Sequence, residues 1–253
     1  MRTPVLATSS DQRCPWRGSG LAAPTRAVKN SLTQLLKAEQ LLCYVTDRHQ
    51  LPGSESAQRQ LLLEKIAEAA QAGVDYVQIR EKDLSARELE KLARDAVRIV
   101  RNHPSDPAGG RHKTTVLINS RADIALACDA GGVQLPANDI SASEVRCICT
   151  GRKEGDRLTV GISCHTPEEV PEAQKQGADF VLFAPVFEKE KHRPAGLENL
   201  RLACEYSIPV FALGGVTLEN AASCFGAGAT GIAGIRLFQE NKIANVVREL
   251  RKS

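Results

Sequence analysis

The chain has 253 residues, of which 42% are hydrophobic and 25% charged, with a formal net charge of +3. This composition is typical of a globular protein the size of one barrel or two small domains. The basic residues are scattered and aromatic residues make up only 4%, so we expect no nucleic-acid partner. No apolar run reaches about 18 residues, so we expect no membrane span.

The eight cysteines contain no Cys-x-x-Cys pair, and several fall inside expected strands or helices. This pattern favours buried, reduced thiols in a cytoplasmic protein over disulfides or a metal site.

Residues 1–37 differ in composition from the rest of the chain. They carry five basic residues before Ser31 but only one acid, Asp11, and no apolar core suited to a secretory signal. We expect a flexible basic extension. A transit peptide and a start site placed too far upstream are the alternatives. Residues 38–253 then form the folded domain.

From residue 38 onward, strand and helix patterns alternate eight times. The expected strands are 41–47, 76–82, 114–119, 133–135, 158–163, 180–186, 209–213 and 231–236. Helix signals follow each strand: a Ser85–Glu88 capping box, a cap at Ser141 or Ser143, and caps at Thr166 and Thr217. Eight such units predict an α/β protein with a closed (β/α)8 TIM barrel. The alternative, an open doubly wound sheet, lacks a Gly-x-Gly-x-x-Gly after the first strand.

Active sites of such barrels lie at the carboxyl ends of the strands, where this sequence is strongly polar. Gln78, Arg80 and Lys82 alternate along one strand and so face the same side. Two cations and an amide in the barrel mouth suit an anionic ligand. The alternative is an internal layer of salt bridges with neighbouring strands.

Glycine-rich loops end the seventh and eighth strands. Gly214 and Gly215 precede a helix, and Gly234 leads into Ile235. Backbone amides at these two loops form the common phosphate site of barrels, although tight turns alone would also explain the glycines.

Three further residues at the strand ends carry chemistry. His165 follows strand five and suits general acid–base work or a ligand hydrogen bond, or it caps the next helix. Asp139 suits Mg²⁺ in a phosphate site, or helix capping. Cys164 lacks an identifiable base, which argues against a nucleophile.

The motifs at these strand ends resemble the thiamine phosphate synthase/TenI family. The matching segments are spread from residue 44 to residue 235, in the family's order. They are YVTD (44–47), VQIREKD (77–83), LINSRADIALACDAGGVQLPAND (117–139), VGISCHTPEEVPEAQKQGADFVLFAPVF (160–187), PVFALGGVTLEN (209–220) and GAGATGIAGI (226–235).

This resemblance implies a (β/α)8 barrel that joins a hydroxymethylpyrimidine diphosphate to thiazole phosphate with the help of Mg²⁺, giving thiamine phosphate and pyrophosphate. The implied partners are therefore small phosphorylated substrates. The sequence leaves open whether the chain forms a homo-oligomer. By position, catalysis falls to Arg80, Lys82 and His165, and Mg²⁺ binding to Asp139. The implied substrate contacts are Gln78, Asn119, Gln134, Ser163, Gly214, Gly215, Gly234 and Ile235.

Several positions depart from the family's synthase pattern. Ser120 stands where an aspartate usually follows Asn119, Gln134 stands where a histidine is usual, and Arg236 replaces a serine. Residues 190–192 replace a Thr-x-Thr-Lys segment. The alternatives are a TenI-like thiazole tautomerase that uses His165 and a non-catalytic thiazole-phosphate-binding regulator.

Overall fold

A computed structural model describes residues 40–103, 114–149, 157–187 and 194–252. Its eight strands are parallel and close into one barrel in chain order, which confirms the predicted (β/α)8 TIM fold. The strands are β1 (Leu41–Val45), β2 (Tyr76–Ile79), β3 (Thr115–Asn119), β4 (Gly132–Leu135), β5 (Thr159–Cys164), β6 (Phe180–Phe183), β7 (Val210–Ala212) and β8 (Gly231–Gly234). The predicted extension at 1–37 and residues 104–113 and 190–192 lie outside the described residues.

Helices pack against the outside of the barrel. They are α1 (Glu55–Ala72), α2 (Ala86–Asn102), α3 (Ala122–Ala127), α4 (Ala142–Ile148), α5 (Glu169–Lys175), α6 (Gly196–Ala203), α7 (Ala221–Gly226), α8 (Arg236–Gln239) and α9 (Ile243–Leu250). A 3₁₀ turn, Arg48–Gln50, follows β1. None of the helices in the described ranges is long and apolar enough to cross a membrane.

Local capping signals were only partly reliable. The capping boxes at Ser85 and Ser141 are both present. The predicted caps at Thr166 and Thr217 are wrong, because α5 and α7 begin at Glu169 and Ala221, after an intervening turn. At Thr217, the backbone N–H donates to Asn220 Oδ1, which closes that turn ahead of the helix.

Most strands are shorter than their sequence patterns. The strand predicted for 76–82 ends at Ile79, and Lys82 lies in a turn. Beyond Ile79, the N–H of Arg80 donates to the Thr46 hydroxyl instead of to a neighbouring strand. Pairing therefore stops where the loops leave the barrel, while the polar residues continue onto the rim.

Alternate strand residues fill the barrel interior. Three aromatic rings, Tyr76, Phe180 and Phe211, form its lower plug, with ring centroids 5.1–5.9 Å apart. Glycines paired with these rings on the adjacent strands make room: a Cβ at Gly161 or Gly231 would overlap Phe180 or Phe211. These rings fill the lower part of the interior, whereas the cavity lined by the loops after β7 and β8 lies at the carboxyl end.

Gly132→Ala should destabilise the barrel, because an added Cβ would overlap the Thr159 carbonyl oxygen and lie 2.7 Å from Leu117 Cδ2. We expect a loss of about 2–3 kcal/mol in the free energy of unfolding, measured by urea denaturation. Gly226→Ala is the matched control, since a Cβ there meets nothing within 4 Å. Equal stability of the two variants would contradict this packing argument.

Candidate active site

A layer of polar side chains lies on four adjacent strands just above the aromatic plug. Gln78 Nε2 donates to Asn119 Oδ1 at 3.0 Å, and Gln134 Nε2 donates to Ser163 Oγ at 3.2 Å. Gln78 and Gln134 are 2% and 1% exposed, yet Oε1 of each has no hydrogen-bond partner within the described chain. A buried acceptor without a donor is costly, so both amides are suited to receive a ligand's N–H or O–H group.

Ser120 and Asp139 meet across the rims of β3 and β4. The Ser120 hydroxyl donates to Asp139 Oδ2, and the Ile140 N–H donates to Asp139 Oδ1 at 2.8 Å. Ser120 has a φ of 68°, a left-handed conformation that is uncommon for residues other than glycine. The Asp139 carboxylate therefore has a fixed orientation. It does not cap α4, since Ser141 does.

Arg80 and Lys82 form the cationic part of the rim. Neither side chain has an ion-pair partner in the described part of the chain, so the alternative of a salt-bridge layer finds no support there. The nearby positive charge of Arg80 lowers the pKa of Lys82 from its ordinary value, and partial burial lowers it further. Two neighbouring like charges without a counterion are suited to bind a polyanion.

The loops after β7 and β8 border a cavity of about 850 Å³. Gly214 has a φ of 94°, and a Cβ there would lie 2.7 Å from Pro185. The carbonyl oxygens of Leu213 and Gly214 accept hydrogen bonds from Val186 and Phe187. The cavity is lined by Gly214, Gly215, Thr217, Gly234, Ile235 and Arg236, among others.

The backbone N–H groups of Gly215 and Ile235 lie in the two loops that line this cavity. Neither donates a hydrogen bond to any acceptor in the described ranges. Free amides on two adjacent glycine-rich loops, with the Arg236 cation beside them, are the usual elements of a phosphate site. All four predicted residues of this site, Gly214, Gly215, Gly234 and Ile235, thus line one cavity.

His165 lies at the end of β5 with its ring fixed. The ring Nδ1 of His165 is 2.6 Å from the Ala184 carbonyl oxygen, and the His165 backbone N–H donates to Glu169 Oε2. Because a carbonyl oxygen only accepts, Nδ1 carries the proton and Nε2 is left to accept one. Cys164 is 1% exposed, and burial raises the pKa of its thiol to about 12, which disfavours a nucleophilic thiolate.

Sequence reasoning missed Arg48 and Glu81, which lie buried behind the β2 rim. Arg48 Nη1 donates to Glu81 Oε2 at 3.1 Å. A signal existed in the alternation of charge sign from Arg80 to Asp83. This charge pattern could not show that Glu81 pairs with Arg48.

The fold and the polar rim place the chain among the (β/α)8-barrel enzymes. A family model described as thiamine monophosphate synthase matches residues 42–238. A protein of Aquifex aeolicus, provisionally named thiamine-phosphate synthase 2, is 40% identical over 182 residues, which is 70% of this chain and 90% of that protein. The chain belongs to the thiamine phosphate synthase/TenI family.

Two further comparisons agree. Thiamine-phosphate synthase of Clostridium novyi is 34% identical over 205 residues, covering 79% of this chain and 91% of that protein. The solved structure of thiamine phosphate pyrophosphorylase from Pyrococcus furiosus superposes with a TM-score of 0.69 at 30% identity, covering 86% of this chain and 96% of that one.

Replacing Arg80 should raise the pKa of Lys82. In Arg80→Met, the repulsion that disfavours the charged amine is removed, so the Lys82 amine should react more slowly with acylating reagents at fixed pH. Peptide mapping of labelled protein across a pH series measures this. Arg98→Met, which removes an exposed cation paired with Asp95, is the control. An unchanged Lys82 profile in Arg80→Met would show that the two cations do not interact.

Proposed function

We propose that this chain is a thiamine phosphate synthase, which transfers the pyrimidinylmethyl group of a hydroxymethylpyrimidine diphosphate to the nitrogen of thiazole phosphate and releases pyrophosphate. The observation that carries the proposal is the presence of two separate anion-binding groups on one rim. Arg80 and Lys82 follow β2, and the free amides follow β7 and β8, with β1 between them. A reaction that joins two phosphorylated substrates requires two such sites.

The chemistry assigns a distinct task to each group. The carbon–oxygen bond to the diphosphate breaks as the leaving group takes the electron pair, and the thiazole nitrogen then forms the new carbon–nitrogen bond. Arg80 and Lys82 stabilise the negative charge that grows on the departing pyrophosphate. Gly215 and Ile235 hold the thiazole phosphate, and the buried amides of Gln78 and Gln134 orient the rings, so that the reacting atoms meet.

The oxygen donors at the β3 and β4 rims suit a Mg²⁺ ion that binds together with substrate. They are the Asp139 carboxylate and the Ser120 hydroxyl, and the described residues contain no group of three or more His, Cys, Asp or Glu suited to a metal. Mg²⁺ commonly uses one or two carboxylates and completes its shell with substrate phosphates and water. In that place it would neutralise part of the diphosphate charge. We propose Asp139 as its protein ligand.

We also propose that the protein acts in the cytoplasm. Seven cysteines in the described ranges are free, as expected in a reducing compartment. Fractionation of cells that produce the tagged protein would test this location.

The decisive assay supplies purified protein with pyrimidine diphosphate, thiazole phosphate and Mg²⁺, and measures thiamine phosphate by chromatography. We expect turnover by the wild type and a loss of about 100-fold in kcat/KM in Lys82→Gln, since a cation at the leaving group is removed. Lys175→Gln, on exposed helix α5, is the matched control. Absence of thiamine phosphate from the wild-type reaction would refute the synthase, and binding of both substrates without turnover would favour a regulator.

A second candidate function is thiazole tautomerisation, which the His165 geometry favours. With Nδ1 engaged by Ala184, Nε2 can take a proton from a thiazole carboxylate phosphate held by the β7 and β8 loops. This reaction has a single phosphorylated substrate and leaves Arg80 and Lys82 unexplained.

His165→Gln distinguishes the two reactions. If the chain is a tautomerase, the isomerisation rate of this variant should fall by about 100-fold or more. The rate is measured by NMR as the disappearance of the signal of the substrate's solvent-exchangeable proton. If it is a synthase, Lys82→Gln should have the larger effect on thiamine phosphate formation. Equal tautomerase rates in His165→Gln and wild type would exclude the second candidate.

A further inference from the structure

A buried ion pair lies directly behind the two rim cations. Arg48 and Glu81 are 3% and 4% exposed. Glu81 accepts hydrogen bonds from the Arg48 guanidinium at 3.1 Å and from the Arg48 backbone N–H at 3.1 and 3.3 Å. Arg48 Nη1 also donates to Asp83 Oδ1 at 2.6 Å. The loops after β1 and β2 are thus joined by several charge-assisted bonds, which are stronger than neutral ones.

Thr46 links this pair to the backbone of Arg80. The Thr46 side chain is fully buried; its hydroxyl donates to Glu81 Oε1 at 2.6 Å and accepts from the Arg80 N–H at 2.9 Å. Thr46 therefore holds Arg80 through its backbone N–H and Glu81 through its carboxylate.

The pair determines where the neighbouring cations point. Glu81 is buried against Arg48, whereas its sequence neighbours Arg80 and Lys82 are half-buried and exposed, and these two lie close enough for the Arg80 charge to lower the pKa of Lys82. Without an anchor, two adjacent like charges would move apart. The buried charges Arg48 and Glu81 thus lock a local geometry that repulsion opposes.

We propose that Arg48 and Glu81 are positioning residues that hold Arg80 and Lys82 together as a two-cation clamp for the diphosphate. This role rests on the proposed synthase function for its substrate, while its binding component is testable without turnover. Neither residue touches the reacting atoms. They act through the backbone of the β2 rim. No hydrogen bond in the described ranges joins either residue to the loops after β7 and β8, although Asp47 and Gln239 join the loop after β1 to helix α8.

Glu81→Gln tests the role, because the amide keeps the shape of the side chain but removes its charge. Calorimetric titration with inorganic pyrophosphate and Mg²⁺ should show affinity weakened about tenfold or more. Steady-state kinetics should show a raised KM for the pyrimidine diphosphate and an unchanged KM for thiazole phosphate. Glu64→Gln, an exposed carboxylate on α1, should leave all three values at wild type.

One double variant and one pair of single variants separate positioning from folding. Arg48→Met/Glu81→Met replaces the ion pair by apolar side chains, a change that buried pairs often tolerate, and should fold yet bind pyrophosphate weakly. Thr46→Ser should retain wild-type affinity, whereas Thr46→Val, which lacks the hydroxyl, should lose it.

Either of two results would overturn the proposal. One is wild-type affinity for pyrophosphate in folded Glu81→Gln, shown by circular dichroism to retain its helices. The other is an equal loss of affinity for pyrophosphate and thiazole phosphate, which would indicate general support of the rim. Wild-type protein that binds pyrophosphate but forms no thiamine phosphate would refute the synthase alone, and the titrations would still test the clamp.

Discussion

Parallel pairing of eight strands in one closed sheet is the constraint on which the rest of the structure depends. Because every strand runs in the same direction, all carboxyl ends meet on one rim. Because alternate residues point inward, the interior must accommodate each of them in turn. Aromatic rings at Tyr76, Phe180 and Phe211 fill its lower part against glycines, so space for a ligand remains only above them.

The polar layer above the plug destabilises the protein but provides hydrogen-bond acceptors for a ligand. Gln78 and Gln134 each leave a buried carbonyl oxygen without a donor, and such a group costs about 1–3 kcal/mol. A ligand with an amino group would supply the missing donors. The layer is therefore least satisfied in the free protein and becomes satisfied on binding, which increases the selectivity for such a ligand.

The two rim cations and the Asp139 carboxylate also lack ion-pair partners within the described part of the protein. Arg80 and Lys82 repel each other, and the rim of β3 and β4 offers one carboxylate, Asp139, held by Ser120. An incoming diphosphate with Mg²⁺ would balance both regions at once. The Arg48–Glu81 pair keeps this unbalanced arrangement in place because its opposite charges are buried against each other, with Asp83 as a further partner of Arg48, so its geometry does not depend on the ligand.

The order of strands and helices, the barrel and the polar strand ends follow from the sequence alone, since periodicity and capping depend on residues a few positions apart. The capping boxes at Ser85 and Ser141 are of this kind. The partners of Asp139, His165 and Glu81 are 19, 19 and 33 residues distant. Only the register of the closed sheet and the turns that delay α5 and α7 bring them together, so the tertiary structure decided which polar groups are anchored and which are left for a ligand.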